Sequence, residues 1–119
     1  MEILMEFQEM LNKIKGIPLL QLQEQQDKFF GVVMKTDQLQ VLEPLLASFF
    51  GLPLKPPHSQ VTPEVARITR PYGGIMENQT LYFRRQYQER SILAMIWPWN
   101  DGSNFTLKIF QDAMIAASE

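Results

Sequence analysis

The chain has 119 residues, a formal net charge of −2 and 45% hydrophobic residues, and it contains no cysteine. This length fits one domain that can bury a core without disulfides or a metal. The absence of cysteine excludes disulfides and thiolate chemistry, and the small net charge argues against a dedicated nucleic-acid binder. We find no signal peptide and no long apolar run, so we expect no membrane segment and a cytoplasmic location.

Residues 1–51 have mostly helical patterning. Apolar residues recur at spacings of three and four from residue 2 to residue 15, which predicts an amphipathic helix ended by Gly16. Residues 18–28 begin with proline and are largely polar, which indicates a second, exposed helix. Residues 29–34 fit either a buried strand or the apolar end of that helix, and their β-branching favours the strand.

A further helix is predicted between residues 37 and 50. Asp37 and Gln40 resemble a capping box, apolar residues follow at helical spacing, and Gly51 ends the pattern. Pro44 lies inside this segment, so we expect a kink there or a regular helix restricted to residues 44–50.

Residues 52–63 contain four prolines and no periodic pattern, which is typical of an extended connector. The segment 64–70 is predicted to form a short strand, followed by a turn at Gly73 and Gly74. On that strand, Arg67 and Arg70 would lie on opposite faces.

Residues 79–111 read as a meander of three antiparallel strands. In the first strand, Leu81 and Phe83 share one face with Arg85, whereas the alternate residues lie on the other face. The run 91–99 is apolar on both faces, so we expect a central strand that is covered on both sides. Pro98 has no N–H to donate, so regular pairing is expected to end near Trp97.

The last strand of the meander covers residues 105–110. Phe105, Leu107 and Ile109 alternate with a wetter face, which is consistent with an edge strand. The tail, residues 112–119, is short and alanine-rich, and we expect it to form a frayed helix.

These elements predict a single α+β domain over residues 1–119. Residues 1–51 form its mostly helical part, 52–63 the connector, 64–111 the sheet and 112–119 the tail. We expect an antiparallel β-meander sheet of about four or five strands, with two or three N-terminal helices packed mainly on one face.

The sequence offers little for catalysis. His58 is the one histidine, it lies in the connector, and no acid neighbours it in sequence. We therefore expect no metal site and no cofactor. An enzyme using Tyr72, Arg85, Asp101 or Glu77 is the third hypothesis for function, but these residues form no recognisable catalytic constellation.

A small acidic ligand is the second hypothesis. Arg85, Tyr72 and Arg70 are the candidate residues, because an arginine binds a carboxylate or phosphate through two hydrogen bonds. The pocket would lie between the helices and the sheet. An alternative at Gly73 and Gly74 is a backbone nest for an anion.

The leading hypothesis is a non-enzymatic interaction or accessory domain that acts as a homodimer. The central strand needs cover on both faces, and the predicted helices supply one good layer, so a monomer would expose a large apolar patch. Trp99, Tyr82 and Phe110 are the candidate contact residues, as aromatics on outer faces or strand ends. No nucleic acid and no membrane is expected among the partners.

Overall fold

The structure is a computed structural model. It describes residues 2–18, 21–26, 28–85 and 90–114, with the side chains of residues 2–5, 21–24, 26 and 112–114 left aside. The described part of the chain contains three α-helices and five strands, and the α+β class is confirmed. In chain order the elements are α1 (Glu2–Lys15), β1 (Gln21–Gln26), β2 (Phe29–Lys35), α2 (Leu39–Phe50), α3 (Pro63–Thr69), β3 (Thr80–Arg85), β4 (Arg90–Pro98) and β5 (Asn104–Met114).

The strands form one antiparallel sheet in the order β1-β2-β5-β4-β3. β5 is paired with β2 on one side and β4 on the other, so the prediction that it is an edge strand is wrong. Lys108 is half-buried because its face is only partly covered, whereas Thr106 on the same face is 8% exposed. The ladder of β4 reaches Pro98, one residue beyond the expected end.

The segment 18–28 does not form the predicted helix. Gln21–Gln26 is strand β1 at one edge of the sheet, paired with β2 through a register shift between Leu22 and Glu24. The strand interpretation of residues 29–34 is confirmed by β2. Pairing with this buried neighbour decides the structure of β1, because strand formation depends more on sheet context than on intrinsic propensity.

The segment 64–70 is a helix and not the predicted strand. The backbone N–H of Val65 donates to Thr62 Oγ1 over 3.2 Å, and Pro63 occupies the first turn, where its missing N–H costs nothing. Arg67 and Arg70 are therefore separated by one helical turn and do not alternate across a strand.

The start of α2 also differs from the prediction. A 3₁₀ turn at Thr36–Gln38 precedes the helix, and no capping side chain bonds to it. Instead, Thr36 Oγ1 donates to the carbonyl oxygen of Gly102 over 2.7 Å. The helix runs from Leu39 through the exposed Pro44 to Phe50, so its regular part is longer than residues 44–50.

The end of the chain is not helical over the residues that are described. β5 continues to Met114, so residues 112–114 are strand. The rest of the predicted tail helix, residues 115–119, lies outside the described residues.

The sheet has a first face that packs against α1 and α2 and a second face that packs against α3. The first face holds the larger core. Its sheet residues are Phe30, Val32, Met34, Tyr82, Ile92, Ala94, Ile96, Phe105, Leu107 and Ile109, and its helix residues include Phe7, Ile14, Leu42, Leu46, Phe49 and Phe50. The second face holds a smaller core made of Val65, Ile68, Leu81, Leu93 and Met95. As expected, β4 is apolar on both faces and covered on both.

Arg84 joins three elements on the first face. Its guanidinium donates to the carbonyl oxygen of Phe49 over 2.8 Å and lies 3.1 Å from a carboxylate oxygen of Glu6. It also lies 4.4 Å from the centre of the Phe49 ring. The arginine thus binds an orphan carbonyl at the C-terminal end of α2, where a cation is favourable, and links that end to α1 and β3.

Replacing Ile96 tests the position of β4. Ile96 is 2% exposed in the larger core, so Ile96→Ala should lower the free energy of unfolding by ~2–5 kcal/mol, cavity included. Val41 is 51% exposed on α2, and Val41→Ala is the matched control, with an expected change within ~0.5 kcal/mol. Urea denaturation measures both, and an unchanged midpoint for Ile96→Ala would contradict this placement of β4.

Candidate functional site

One row of side chains crosses four strands on the second face of the sheet. Phe29 of β2 pairs with Phe110 of β5, Phe110 pairs with Leu93 of β4, and Leu93 pairs with Phe83 of β3. Tyr72 packs beside this row and Trp97 lies further along β4. We call Phe29, Tyr72, Phe83, Trp97 and Phe110 the aromatic face, and all five are half-buried.

Three rings of this face are in direct contact. The ring centres of Phe29 and Phe110 are 4.8 Å apart, and those of Tyr72 and Phe110 are 4.6 Å apart. Gly31 gives the Phe29 ring its space, because a Cβ at Gly31 would lie 3.1 Å from Phe29 Cζ. Stacked aromatic rings that keep part of their surface open are typical of binding surfaces.

Basic side chains lie over two of these rings. The Arg85 guanidinium is 5.7 Å from the centre of the Phe83 ring, and Lys108 Nζ is 4.1 Å from the Trp97 ring. Such contacts attract a cation to the ring face. Among the described residues, no carboxylate lies within 4.0 Å of Arg85, Lys108 or Arg70. The second face therefore presents positive charge that the described part of the chain does not neutralise.

A shallow groove of about 390 Å³ adjoins this face. It is lined by Ala66, Thr69, Arg70, Gly73, Gly74 and Ile75. Gly73 has a φ of 101° and lies next to Trp97, where a Cβ would be in ordinary contact with the indole ring at 3.6 Å. Trp97 Nε1 is buried and has no hydrogen-bond partner among the described residues.

The proposed anion nest at the two glycines is excluded by their hydrogen bonds. The N–H of Gly74 donates to the Thr69 carbonyl over 2.9 Å, and the N–H of Gly73 donates to the Arg70 carbonyl over 3.4 Å. The Gly74 bond closes the end of α3, and the Gly73 bond closes the 3₁₀ turn Arg70–Tyr72 that follows it, as glycines in the left-handed region commonly do. They are not available to an anion.

The three predicted ligand residues lie on the same side of the sheet but in separate surroundings. Tyr72 stacks on Phe110, Arg70 lines the groove, and Arg85 covers Phe83. The pocket expected between the helices and the sheet stays a prediction; side chains such as Leu42, Leu46 and Leu107, each 0% exposed, fill much of that space. A role for these residues in binding stays a prediction.

The three predicted interface residues are also separated. Tyr82 was expected on an outer face, but it is 4% exposed, with its ring 5.8 Å from that of Phe50. It lies inward because α2 covers its face of β3, and this burial, with the Glu43 carboxylate as a further cause, raises the pKa of Tyr82 above its ordinary value. Phe110 belongs to the aromatic face. Trp99 is 42% exposed and donates its indole N–H to Thr106 Oγ1 over 3.0 Å.

The residues considered for catalysis have local structural roles. His58 is exposed at a φ of 62°, and its backbone N–H donates to the Glu77 carbonyl over 2.7 Å. The backbone N–H and the hydroxyl of Ser103 donate to Asp101, and these bonds lower the pKa of that carboxyl. Within the described residues, no group of three histidine or acidic side chains could hold a metal ion. None of the helices described here has the length and apolarity needed to cross a membrane.

Lys55 in the connector is a buried lysine that no pattern in the sequence indicates. It is 1% exposed, and its Nζ donates to the carbonyl oxygens of Pro56, Glu77 and Gln79 over 3.0, 2.7 and 2.7 Å. Its backbone pairs with Leu81 of β3 in both directions. Burial lowers the pKa of Lys55 below its ordinary value, although the Glu77 carboxylate acts in the opposite direction. We call this set of bonds the Lys55 bridge.

Comparison of the chain with known protein families, with curated proteins and with solved structures found no match. No function is therefore transferred from a relative. The aromatic face, its basic groups that have no carboxylate partner among the described residues, and the adjoining groove are the features from which a function is inferred.

Removing the Lys55 ammonium tests the bridge. Lys55→Met leaves three partly buried carbonyls without this donor, so the free energy of unfolding should fall by about 1–3 kcal/mol, whereas the exposed Lys35→Met should change little. The pKa of Lys55 is lower in the folded chain than in the unfolded chain. Below this lowered pKa the lysine is charged in both states, and its charge is less favourable in the folded state. The wild type should therefore gain stability relative to Lys55→Met as the pH rises through the lowered pKa toward 10.5. Equal urea midpoints for the two variants would show that the bridge is not stabilising.

Proposed function

We propose that this chain is a non-enzymatic interaction domain and that the aromatic face is its binding surface. The observation that supports this is the half-exposed stack of Phe29, Phe110 and Tyr72. Aromatic residues that are already ordered by ring contacts bring large contact areas at little cost in side-chain entropy. On the first face, the aromatic residues Phe7, Phe30, Phe49, Phe50 and Phe105 are buried in the core.

We also propose that the domain acts as a homodimer. The second face is not bare, because α3 with Ile75 covers its β3–β4 half. On the β2–β5 half, the apolar surface that remains is that of the half-buried Phe29 and Phe110, since Val33 there is 2% exposed. A twofold contact would use this half twice and remove it from water. Tyr82 takes no part in such a contact because it is buried, whereas Trp99 extends the surface at the end of β4.

Light scattering at micromolar concentration tests the homodimer. The wild type should show twice the chain mass of 13.9 kDa, and Phe110→Glu should lower the mass toward that of the monomer by placing a buried charge in the contact. Val41→Glu places the same charge on an exposed apolar residue of α2 and should leave the mass unchanged. A wild-type mass near 13.9 kDa at all concentrations would refute the homodimer.

A small acidic ligand is a second candidate, supported by the unpaired cations. Arg70 lines the groove that adjoins Trp97, and neither it nor Arg85 has a described carboxylate partner. A carboxylate or phosphate in that groove would gain charge-assisted hydrogen bonds from the guanidinium of Arg70.

A thermal-shift screen with phosphate and small carboxylates tests this candidate. Binding should raise the wild-type melting temperature, and Arg70→Ala should abolish the increase. Lys13 forms an exposed ion pair with Glu9 on α1, so Lys13→Ala removes one positive charge away from the groove and should keep the increase. An increase of the same size in Arg70→Ala and in the wild type would reject the groove as the site.

A further inference from the structure

The outer edge of β3 is only partly occupied. β3 ends the sheet on the side away from β1, and one connector residue, Lys55, pairs with it. The Leu81 N–H donates to the Lys55 carbonyl over 3.0 Å, and the Lys55 N–H donates to the Leu81 carbonyl over 3.2 Å. The backbone groups of Leu81 therefore point away from β4.

The backbone groups of two further residues of β3 point in the same direction as those of Leu81. Because backbone groups of residues two apart point to the same side of a strand, Phe83 and Arg85 also direct their N–H and C=O groups outward. Within the described residues, no backbone group bonds to them on that side. The connector does not extend the pairing to Phe83, since Pro53, two residues before Lys55, has no N–H to donate.

The two arginines at this edge differ in whether they have a carboxylate partner. Arg84 points to the first face, where it bonds to Glu6 and to the Phe49 carbonyl. Arg85 is exposed on the second face and has no described carboxylate partner. A strand added here would bring its own side chains beside those of Phe83 and Arg85, because directly opposed residues in an antiparallel pair are in contact.

We propose that the edge of β3 at Phe83 and Arg85 binds an extended acidic peptide as an added antiparallel strand. The peptide's backbone would pair with the outward groups of both residues. Its side chains would place an apolar residue beside Phe83 and, two positions away, a carboxylate beside Arg85. Backbone pairing gives such a contact its affinity, and the alternate side chains give it its selectivity. Phe83 also belongs to the aromatic face, but the twofold contact proposed above uses Phe29 and Phe110 on the β2–β5 half, whereas this site is the β3 edge.

Synthetic peptides test the backbone pairing directly. The probe is an eight-residue peptide in which every second residue is threonine and the positions between them alternate valine and glutamate, labelled for fluorescence anisotropy. One face of this peptide then offers valine and glutamate two positions apart, as Phe83 and Arg85 require. The lysine–valine peptide used below has lysine in place of each glutamate. Two methylated versions of this peptide are compared. In the first, every amide that points toward β3 is N-methylated, and binding should be abolished. In the second, every amide that points away from β3 is N-methylated, and binding should be kept. Equal binding of the two methylated peptides would overturn the added strand, because only backbone pairing distinguishes them.

Charge reversal tests the role of Arg85. Arg85→Glu should weaken binding of the glutamate peptide about fivefold or more, and it should strengthen binding of a lysine–valine peptide. Arg85 is exposed, so this change should leave the urea midpoint unaltered. If the wild type binds the two peptides equally, acidic selectivity is overturned. If it binds neither, the arginines only protect the edge from aggregation, and the proposal fails.

The control for the proposed homodimer is Phe110→Glu. That variant should keep its affinity for the glutamate peptide even where the dimer mass is lost. A protein that is monomeric in light scattering and still binds the peptide would refute the homodimer alone. A dimeric protein that binds no peptide would refute the added strand alone.

Discussion

The pairing of β5 on both of its sides holds the domain together. It joins the β1–β2 pair to the β4–β3 pair, so the sheet is continuous only through this strand. Leu107 and Ile109 face α1 and α2, whereas Lys108 and Phe110 face the opposite side. The alternation along β5 therefore separates the dry core on the first face from the partly open second face.

The two faces satisfy their charges differently. On the first face, Arg84 is held by Glu6 and by the end of α2, so its charge stabilises the fold. On the second face, Arg85 and Lys108 rest on aromatic rings with no described carboxylate beside them. A cation that rests on an exposed ring keeps most of its capacity to attract an anion. This difference is the physical reason for placing recognition on the second side of the sheet and at its β3 edge.

The sequence predicts the meander well, because the apolar run 91–99 and the alternation in β3 follow directly from strand geometry. The prediction from sequence fails where contacts with distant parts of the chain determine the secondary structure. The glutamines of β1 carry no apolar pattern, since an edge strand buries little, and only pairing with β2 makes them a strand. The start of α3 is indicated by Thr62 as the N-cap and Pro63 in the first turn. These two residues favour a helix more strongly than the β-branched residues after them favour a strand.

The candidate site was predictable only in part for the same reason. Alternation places Tyr82 and Phe83 on opposite faces, but it does not show which face α2 will cover. Lys55 gave no signal, because two of its three carbonyl partners lie 22 and 24 residues away in the chain.

The contact between β2 and β5 has a consequence for how the chain folds. It pairs residues about 70 to 80 positions apart, from Lys35 with Asn104 to Phe29 with Phe110. Closing so long a loop costs entropy before any contact is gained, so this pairing is expected to form late and to limit the folding rate. Thr36 then bonds to Gly102 and Ser103 at the end of the same ladder. A fragment that ends before β5 would leave β2 with an unpaired apolar edge, and such a fragment would be prone to aggregate during synthesis.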